Sequence, residues 1–312
     1  MLNGLEYILM KNFLILGIGI LFLFGCQKDR SKEAEATNQF TFVFMTDIHV
    51  KPELRATEGF QQAIAKVNEL DPDFVITGGD LVSDALGASF ARADSLYNLY
   101  NQVTKAFNMP VYNAFGNHET FGLYKESGID STHEEYNKKM FEHKIGRRYY
   151  SFDHKGWHFI VLDAIGVKPD RQYYGHIDDE QIEWLKSDIK DLSKETPIVV
   201  TVHIPFITTM TQITQGPLTP NNEGSIITNG REVLLMLYDY NLKLVLQGHL
   251  HFLEDLYVGG EIHFLTGGAV CAAWWNGPRG NLEEGFVLVK VEDNDFDWEY
   301  IDYGWDAVPS GN

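Results

Sequence analysis

Residue types that bind metal ions occur in five short motifs along this chain, and almost every motif follows a run of β-branched or aromatic residues. The motifs are Asp47-Ile48-His49, Gly79-Asp80, Gly116-Asn117-His118-Glu119, His203 at the end of Val-Thr-Val-His, and Gly248-His249-Leu250-His251. Carboxylate, amide and imidazole groups of these kinds bind divalent metals, and the motifs contain enough of them for two ions. Each preceding run predicts a β-strand that would position its motif. The sequence therefore predicts a site for two metal ions.

Each motif also has a simpler explanation when it is taken alone. Asp-x-His and Gly-Asp arise by chance in many proteins, and either of the glycine-led histidine motifs is compatible with an ordinary polar loop. Those two motifs are nevertheless more specific, because glycine permits a sharp turn that brings neighbouring side chains to one point. The presence of all five in this order, each at a predicted strand end, makes coincidence improbable.

In this combination of motifs the chain resembles the calcineurin-like metallophosphoesterases, over about residues 40 to 290. The resemblance implies two metal sites that share Asp80 as a bridge: metal site 1 with Asp47, His49 and His251, and metal site 2 with Asn117, His203 and His249. It also implies that His118 contacts the substrate without binding metal. Glu119 stands where Asp is commoner in the family, and we expect this difference to change hydrogen bonds around the ligands and not the number of metals.

The chemistry of phosphate esters explains why such residues are needed. Two neighbouring cations bind the phosphoryl oxygens, acidify a bridging water to hydroxide and offset the charge that develops during displacement. Mixed nitrogen and oxygen ligands accept Mn, Fe, Zn, Co or Ni, so the sequence leaves the metal open. His118 fits either a general acid for the leaving oxygen or a cationic clamp on the phosphoryl group, with Asp84 or Glu119 as its orienting partner.

Hydrolysis of a small-molecule phosphate ester is the leading interpretation, and both a monoester and a diester remain open. Ser83 lies three residues after Asp80, where a purple acid phosphatase is expected to have Tyr, and the chain is more similar to the small cyclic-nucleotide-phosphodiesterase-like members. The alternatives are a non-catalytic metal-containing binding lipoprotein and a nuclease acting on a polymer. A net charge of −19 disfavours binding to a nucleic-acid polymer. Protein partners are left open.

The amino terminus predicts a lipid anchor. An apolar run from Phe13 to Phe24 follows Lys11 and ends at Gly25-Cys26, which resembles a bacterial lipoprotein signal peptide over residues 1–26, with lipidation of Cys26. Met10 fits as the natural start. A membrane-spanning helix is the competing interpretation, but the run is shorter than the roughly twenty residues needed to cross a bilayer. Residues 27–39 are polar and predict a flexible tether, so we expect a lipid-anchored protein of the bacterial cell envelope.

Residues 40–312 predict a single α/β domain that rests on a hydrophobic core. With Cys26 lipidated, Cys271 has no partner within the chain for a disulfide, and its apolar surroundings predict a buried free thiol. The resemblance implies two mixed β-sheets packed as a sandwich flanked by helices, a four-layer α-β-β-α arrangement.

Strand and helix patterns alternate up to the Gly-Asn-His-Glu motif, which predicts parallel strands with ligands at their carboxyl ends. The predicted elements are strands 40–46, 73–77 and 110–115, helices 58–70, 90–107 and 181–192, and a hairpin over 149–164. Five further strands are predicted in the carboxyl third, at 242–246, 253–258, 261–265, 285–291 and 296–301. We expect the latter to form a second, more antiparallel sheet.

Two irregular segments are predicted to meet the substrate. Residues 120–148 break the alternation and predict a possible cap over the metals, with Tyr124, His133, His143, Arg147 and Arg148 as candidate contacts. The loop Trp274-Trp275-Asn276-Gly277-Pro278-Arg279 has aromatic rings to stack a leaving group and a guanidinium to hold a phosphate oxygen. A hydrophobic lid that packs on the core is an equally good interpretation of this loop.

Overall fold

The computed structural model describes residues 38–307, so Cys26, the predicted signal peptide and most of the predicted tether lie outside the described residues. The strands are β1 Gln39–Met45, β2 Phe74–Thr77, β3 Val111–Tyr112, β4 Tyr150–His154, β5 Trp157–Val161, β6 Ile165–Val167, β7 Tyr173–Gly175, β8 Pro197–Thr201, β9 Asn241–Gln247, β10 Leu253–Val258, β11 Ile262–Gly267, β12 Gly285–Glu292 and β13 Asp295–Asp302. The helices are α1 Ala56–Leu70, α2 Phe90–Val103, α3 Lys139–Lys144, α4 Asp179–Ile189, α5 Met210–Gln215 and α6 Gly230–Leu237. Within the described part of the chain, every helix is too short or too polar to cross a membrane.

Two large mixed sheets form the centre of the molecule. Sheet 1 has the strand order β13-β12-β1-β2-β3, in which β1, β2 and β3 run parallel and β12 and β13 are antiparallel additions. Sheet 2 has the order β10-β11-β9-β8-β5-β4, with four parallel strands in the middle and one antiparallel strand at each edge. A separate hairpin pairs β6 with β7.

Alternating residues along the strands separate two hydrophobic layers, because successive side chains of a strand point to opposite faces of a sheet. Phe42, Phe44 and Phe74 of sheet 1 share one buried cluster with Phe159 and Leu246 of sheet 2, so this cluster lies between the sheets. The intervening residues on the other faces pack in a second cluster with the helices. Helix, sheet, sheet and helix therefore stack as four layers.

Helix α1 illustrates how the sequence pattern produces the outer layer. Its buried residues include Phe60, Ile64 and Val67, spaced three to four apart, so one stripe of the helix faces the sheet. The helix ends at Asp71, whose left-handed backbone donates its N–H to Val67 O at 3.1 Å. This helix connects β1 to the parallel β2. The carboxyl ends of these two strands, which are followed by Asp47 and Asp80, therefore lie beside each other.

The sequence predictions for the carboxyl third need correction. Strands β12 and β13 belong to sheet 1, where β12 pairs with β1 from Gln39↔Glu292 to Phe44↔Val287. Sheet 2 is predominantly parallel rather than more antiparallel, since β8, β9 and β11 run in one direction. Strand β3 is also much shorter than the predicted 110–115. Strand propensity identifies strands but not their partners, which are selected by long-range packing.

Candidate metal centre

The predicted ligands meet at the carboxyl ends of central strands from both sheets. Asp47 follows β1 and Asp80 follows β2, and the two loops are joined because Asp47 N–H donates to Gly79 O at 3.1 Å. In sheet 2, His203 follows β8 and His249 follows β9, and Gly248 N–H donates to His203 O at 2.9 Å. This is the crevice edge at which ligands bind in parallel sheets.

Metal site 1 contains four converging donor atoms. The Nε2 atoms of His49 and His251 are 3.1 Å apart, and His251 Nε2 is 3.3 Å from Asp47 Oδ1. Asp80 Oδ2 lies 3.5 Å from His49 Nε2. Separations of this size are expected among ligands around one ion, because metal–ligand bonds to nitrogen and oxygen are about 2.0–2.2 Å long.

Metal site 2 contains the remaining predicted ligands and shares one oxygen with metal site 1. His203 Nε2 lies 3.0 Å from Asn117 Oδ1 and 3.1 Å from Asp80 Oδ2. His249 approaches with its other ring nitrogen, since its Nδ1 is 3.3 Å from His203 Nε2. Asp80 Oδ2 is thus near ring nitrogens of both sites, which is the position that a bridging carboxylate requires.

Hydrogen bonds behind the rings orient three of the histidines. His203 Nδ1 is 2.7 Å from Gly78 O and His251 Nδ1 is 2.7 Å from Ala272 O, while His49 Nδ1 is 3.4 Å from Ser83 O. A carbonyl accepts only from N–H, so each bond puts the hydrogen on Nδ1 and leaves a lone pair on Nε2.

This arrangement provides a test of whether the site fits a metal. In metal site 1, two Nε2 lone pairs and a carboxylate oxygen face one another, and in metal site 2 a lone pair faces an amide and a carboxylate oxygen. Acceptors that face acceptors repel unless a positive charge lies between them. The donor set therefore fits a transition-metal cation in each site.

The pKa values of the buried histidines also indicate that positive charge is required beside Asp47 and Asp80. Burial alone would lower the pKa of His203, but the adjacent Asp80 carboxylate outweighs burial and raises that pKa to about 9. Burial would also lower the pKa of His251, yet the nearby Cys271 and Asp47 raise it to about 11. For His249, burial and the neighbouring His203 lower the pKa to about 4, and Asp80 and Asp47 offset only part of that shift. Each carboxylate thus retains one cationic imidazolium beside it when no metal is bound.

Five of the predicted ligands have left-handed backbone conformations. Their φ angles are +55° at Asp47, +46° at His49, +52° at Asp80, +70° at His249 and +50° at His251. Residues other than glycine rarely adopt such angles, and they cluster where the surrounding structure enforces strain for a functional reason. The strain here turns side chains from three loops, those after β1, β2 and β9, toward one point.

Close backbone approach explains the glycine of the Gly-Asn-His-Glu motif. A Cβ added at Gly116 would lie 2.2 Å from Asp80 N and 2.3 Å from Asp80 Oδ1, which is far closer than real contacts. Any larger residue would therefore push the Asp80 loop away from the Asn117 loop. Glycine is needed here for the close approach and not for the predicted sharp turn, since Gly116 itself has an extended backbone with φ −111° and ψ 176°.

Glu119 fixes the backbone under the ligands and does not touch His118's ring. Its Oε2 accepts hydrogen bonds from Asp80 N–H at 2.9 Å and Gly116 N–H at 2.8 Å, and its Oε1 accepts one from Val82 N–H at 3.0 Å. Both oxygens are thus used in joining the two ligand loops. This agrees with the expectation that Glu119 acts through hydrogen bonds around the ligands.

His118 lies beside the ligands with its ring partly open to solvent. The side chain is 26% exposed, and its Nε2 is 3.9 Å from Asp80 Oδ2. Its ring meets the His49 ring edge-on at 4.6 Å. Asp84 Oδ1 is the nearer candidate partner for Nδ1 at 3.8 Å, which is beyond hydrogen-bond distance, and Nδ1 has no hydrogen-bond partner among residues 38–307.

The two adjacent tryptophans have opposite environments. Trp274 is 44% exposed, and its ring stacks on His251 with centroids 4.4 Å apart. Trp275 is 1% exposed, and its Nε1–H donates to Ile48 O at 3.0 Å, inside the core. The prediction that Trp275 contacts substrate is therefore wrong, because its ring has no face toward the cleft. Arg279 stands 5.5 Å from the Trp274 ring centre.

Tyr173 is a cleft residue that the sequence motifs did not indicate. Its ring meets the His249 ring edge-on at 6.1 Å, and burial raises the pKa of its hydroxyl to about 12, with Tyr124 and Asp80 adding to the shift. The residue belongs to β7 in the short β6–β7 hairpin. It is one of 15 tyrosines and stands outside any ligand motif, so the sequence carries no signal that singles it out.

Several candidate contacts in the predicted cap segment are engaged in structural contacts. The His133 ring packs between Phe90 and Phe121, and His143 pairs with Glu135 at 2.9 Å. Arg148 forms ion pairs with Glu142 and with the buried Asp163. Tyr124 lies close enough to Tyr173 to influence that residue's pKa, whereas Arg147 is exposed.

Cys271 is a buried free thiol, as predicted, and its Sγ lies 3.9 Å from His251 Nδ1.

Comparisons of the sequence with known proteins identify its family. A family model described as calcineurin-like phosphoesterase matches residues 40–253. A 3′,5′-cyclic-nucleotide phosphodiesterase from Nostoc sp. is 24% identical over 240 residues, which are 73% of this chain and 77% of that protein.

Two solved structures resemble the described chain in fold. A dimetal phosphatase from Danio rerio has a TM-score of 0.56 at 13% identity, and the alignment covers 85% of this chain and 99% of that one. A purple acid phosphatase from yellow lupin, Lupinus luteus, has a TM-score of 0.53 at 15% identity, covering 85% of this chain and 52% of that one. These likenesses confirm the predicted fold class.

Proposed function

Because the chain belongs to the calcineurin-like phosphoesterase family, we propose that it hydrolyses a small-molecule phosphate ester with two divalent transition-metal ions held by the predicted ligands. The observation that carries the proposal is the position of Asp80 Oδ2, 3.5 Å from His49 Nε2 and 3.1 Å from His203 Nε2. One carboxylate oxygen between the ring nitrogens of two sets of histidines suits a pair of cations, and without metal the carboxylates are balanced by protonated His203 and His251.

When bound, the metal pair would supply an acidified water as nucleophile and positive charge for the phosphoryl oxygens. The residues of the chain hold and orient this chemistry. Backbone carbonyls keep the hydrogens of His49, His203 and His251 on Nδ1, which directs the lone pairs inward. Asp47 is held by Thr46 Oγ1–H at 2.7 Å and by His249 N–H at 3.0 Å. The ligand positions are thus preorganised before substrate arrives.

His118 is the residue we assign to the substrate. Its backbone N–H donates to Asp80 Oδ1 at 2.9 Å, which fixes the start of its side chain next to the bridge. Its partly exposed ring is therefore available to protonate the leaving oxygen or to donate a hydrogen bond to a phosphoryl oxygen. No metal-ligand role is assigned to it, since its Nε2 is farther from Asp80 Oδ2 than the ring nitrogens of His49 and His203 are.

A phosphodiester is the first candidate substrate. The support is the 24% identity to a cyclic-nucleotide phosphodiesterase over most of both chains. The residue three positions after Asp80 is Ser83, where a purple acid phosphatase is expected to have Tyr. The coloured iron centre of that class is therefore not expected here. The lupin structure therefore contributes evidence about fold alone. A phosphomonoester is the second candidate, because the ligand set binds the phosphoryl group common to both.

A substrate panel on metal-loaded protein tests the proposal. Metal-free protein is loaded separately with Mn²⁺, Fe²⁺, Zn²⁺, Co²⁺ or Ni²⁺ and assayed on a cyclic nucleotide, an alkyl phosphodiester, a phosphomonoester and single-stranded DNA. We expect about two ions per chain by elemental analysis and turnover of at least one small ester. Trace metal after loading would contradict the metal assignment. Two bound ions without turnover would indicate the non-catalytic binding protein, and salt-sensitive cleavage of DNA would indicate the nuclease.

Asp80→Asn is the sharpest variant for the bridge. A neutral amide attracts two cations weakly, so we expect both ions to be lost together and activity to fall with them. Asp191→Asn is the matched control, because Asp191 is an exposed surface carboxylate. Full metal content and activity in Asp80→Asn would remove this residue from the bridging role.

A further inference from the structure

Tyr173 lies beside metal site 2, on the wall of the cleft. Its ring meets the His249 ring edge-on, with the two centroids 6.1 Å apart. Successive side chains of a strand point to opposite faces, and the next residue, Tyr174, stacks on His176 with centroids 5.3 Å apart. Strand β7 therefore directs Tyr173 toward the metal ligands and Tyr174 away from them.

The β6–β7 hairpin that carries Tyr173 is fixed to two other segments of the chain. At the end of β7, Gly175 N–H donates to Glu223 O at 2.7 Å. In the turn of the hairpin, Arg171 Nε–H donates to Leu123 O at 2.6 Å. The position of the Tyr173 ring is thus set before substrate arrives, and a donor that is fixed in advance stabilises charge without the cost of reorganisation.

The hydroxyl of Tyr173 is not used to hold the fold. Two other tyrosines bond to the backbone, since Tyr97 O–H donates to Glu119 O at 2.7 Å and Tyr150 O–H donates to Asn113 O at 3.0 Å. The Tyr173 hydroxyl has no hydrogen-bond partner among residues 38–307, and the side chain is partly exposed. A phenol with its ordinary pKa of about 10 keeps its proton at neutral pH, so this O–H is available as a donor.

Tyr173 and His118 border different metal sites. The His118 ring meets His49 of metal site 1 with centroids 4.6 Å apart, whereas the Tyr173 ring meets His249 of metal site 2. A phosphoryl group held between the sites would therefore have one donor residue on each side. During displacement, negative charge is spread over the phosphoryl oxygens, and a hydrogen bond to an anionic oxygen is stronger than one between neutral groups.

We propose that the Tyr173 hydroxyl donates a hydrogen bond to a phosphoryl oxygen of the substrate on the side of metal site 2, and that it stabilises the negative charge of the transition state. This inference rests on the proposed function. It makes Tyr173 a catalytic residue outside the five ligand motifs, and its contribution does not depend on the leaving group.

Binding of inorganic phosphate tests the contact without requiring turnover. Phosphate is titrated by calorimetry into metal-loaded wild-type protein and into Tyr173→Phe, which keeps the ring and loses only the hydroxyl. We expect phosphate to bind roughly 10- to 100-fold more weakly to Tyr173→Phe, because one charge-assisted hydrogen bond is lost, while metal content stays unchanged. Equal affinity of the two proteins, including no measurable binding to either, would overturn the inference.

A neighbouring tyrosine supplies the matched control. Tyr174→Phe removes the hydroxyl of the next residue, whose ring stacks on His176, and should change neither phosphate affinity nor activity. Elemental analysis of Tyr173→Phe excludes an indirect effect. Loss of metal from this variant would overturn the inference, because Tyr173 would then act by supporting His249.

Kinetics measure the effect on the transition state. We expect kcat of Tyr173→Phe to fall by about 10²- to 10³-fold, as when one donor to a developing oxyanion is removed. The decrease should be equal for a p-nitrophenyl ester and an alkyl ester, since the contact is with a phosphoryl oxygen and not with the leaving oxygen. A decrease confined to the alkyl ester would overturn the inference, because Tyr173 would then act on the leaving group.

The same experiments distinguish this inference from the proposed function. If wild-type protein and Tyr173→Phe hydrolyse a small ester equally well, the role of Tyr173 fails and ester hydrolysis stands. If wild-type protein hydrolyses no ester in any metal form, the proposed function fails, and the phosphate titration still decides whether Tyr173 contacts a phosphoryl group.

Discussion

At the scale of single residues, Asp80 contacts groups from both metal sites and from the loop that carries His118 and Glu119. Its Oδ2 lies near ring nitrogens of both metal sites, and its Oδ1 accepts the backbone N–H of His118 at 2.9 Å. Its own N–H donates to the buried Glu119. Burial would raise the pKa of Asp80, but the surrounding imidazoles of His203 and His118 hold it well below its usual range. The residue is therefore an anion ready to attract cations at any physiological pH.

His118→Ala should lower kcat by about 10²- to 10⁴-fold, the usual contribution of a positioned proton donor, while metal content stays nearly intact. The structural reason is that the side chain is 26% exposed and its Nε2 lies 3.9 Å from Asp80 Oδ2, farther than the ring nitrogens of His49 and His203. Steady-state kinetics and elemental analysis of the same preparation measure both quantities. His143→Ala, on the exposed surface, is the matched control.

Leaving-group dependence then separates the two roles left open for His118. A general acid matters greatly for a poor alkoxide leaving group and little for p-nitrophenolate, which departs without a proton. An equally large defect on both substrates would exclude the acid and retain the electrostatic clamp. Loss of metal in His118→Ala would instead make His118 a ligand.

At the scale of elements, the ligands follow the ends of strands. Side-chain hydrogen bonds connect the neighbouring strands and helices. His158 of β5 shows this locking away from the metal site. Its Nδ1 is 2.7 Å from Asp153 Oδ1 in β4, and its Nε2 is 3.0 Å from Asp188 Oδ2 in α4. One imidazole of β5 thus bonds to both the edge strand β4 of sheet 2 and the covering helix α4.

The His158 lock predicts a pH-dependent stability. Burial would lower the pKa of His158, but the hydrogen bonds to Asp188 and Asp153 outweigh burial and raise it. A raised pKa stabilises the folded state fully below the unfolded value of about 6.5 and loses this contribution as pH rises through the folded value. Denaturant unfolding at several pH values measures the loss, which we expect on the order of 1 kcal/mol because Asp153 is exposed and screened. Asp188→Asn should remove most of the pH dependence, and a stability that rises over the same interval would contradict the assignment.

At the scale of the whole molecule, the candidate metal ligands come from both sheets. Asp47, His49, Asp80 and Asn117 come from loops of sheet 1, whereas His203, His249 and His251 come from loops of sheet 2. Ions bound between these loops would link the sandwich at one end, in addition to the aromatic core between the sheets.

Chelation should therefore lower the melting temperature of the whole domain. A ligand present at 100 times its Kd adds about 2.7 kcal/mol to stability, and each kcal/mol moves the Tm of a large domain by about 2–4 °C. We expect a decrease of at least about 5 °C by calorimetry when metal-loaded protein is treated with excess EDTA. The Tm of Asp80→Asn should not respond to EDTA, and an unchanged Tm of the wild-type protein would show that the ions contribute nothing to folding.

We also propose, from the sequence of residues 1–26, that the protein is anchored to a membrane of the cell envelope through lipid on Cys26. Cys26→Ser should move the protein from the membrane fraction to a soluble or unprocessed form. Fractionation with labelled palmitate measures both location and acylation. Cys271→Ser is the matched control, since Cys271 is buried. An unchanged distribution of Cys26→Ser would indicate a membrane helix or another anchor.

The ligand set could be predicted from sequence because its information is local. Short motifs such as Asp47-Ile48-His49 name the donor atoms, and a preceding apolar strand places them at a strand end. The order of strands and helices up to Asn117 likewise follows from periodicity and from the rule that parallel strands need a crossover. These features depend on residues that are neighbours in the chain.

Other features were decided only by tertiary structure. Strands β12 and β13 join sheet 1 because β12 packs its Val287 and Val289 against the core between the sheets, a contact with residues about 250 positions earlier. Trp274 and Trp275 are adjacent in sequence, yet one borders the cleft and the other fills the core. Both have left-handed backbone angles, where neither the two-residue period of a strand nor the 3.6-residue period of a helix predicts the direction of a side chain. At such positions only the long-range bonds to the Asp47 loop determine which ring is exposed and which is buried.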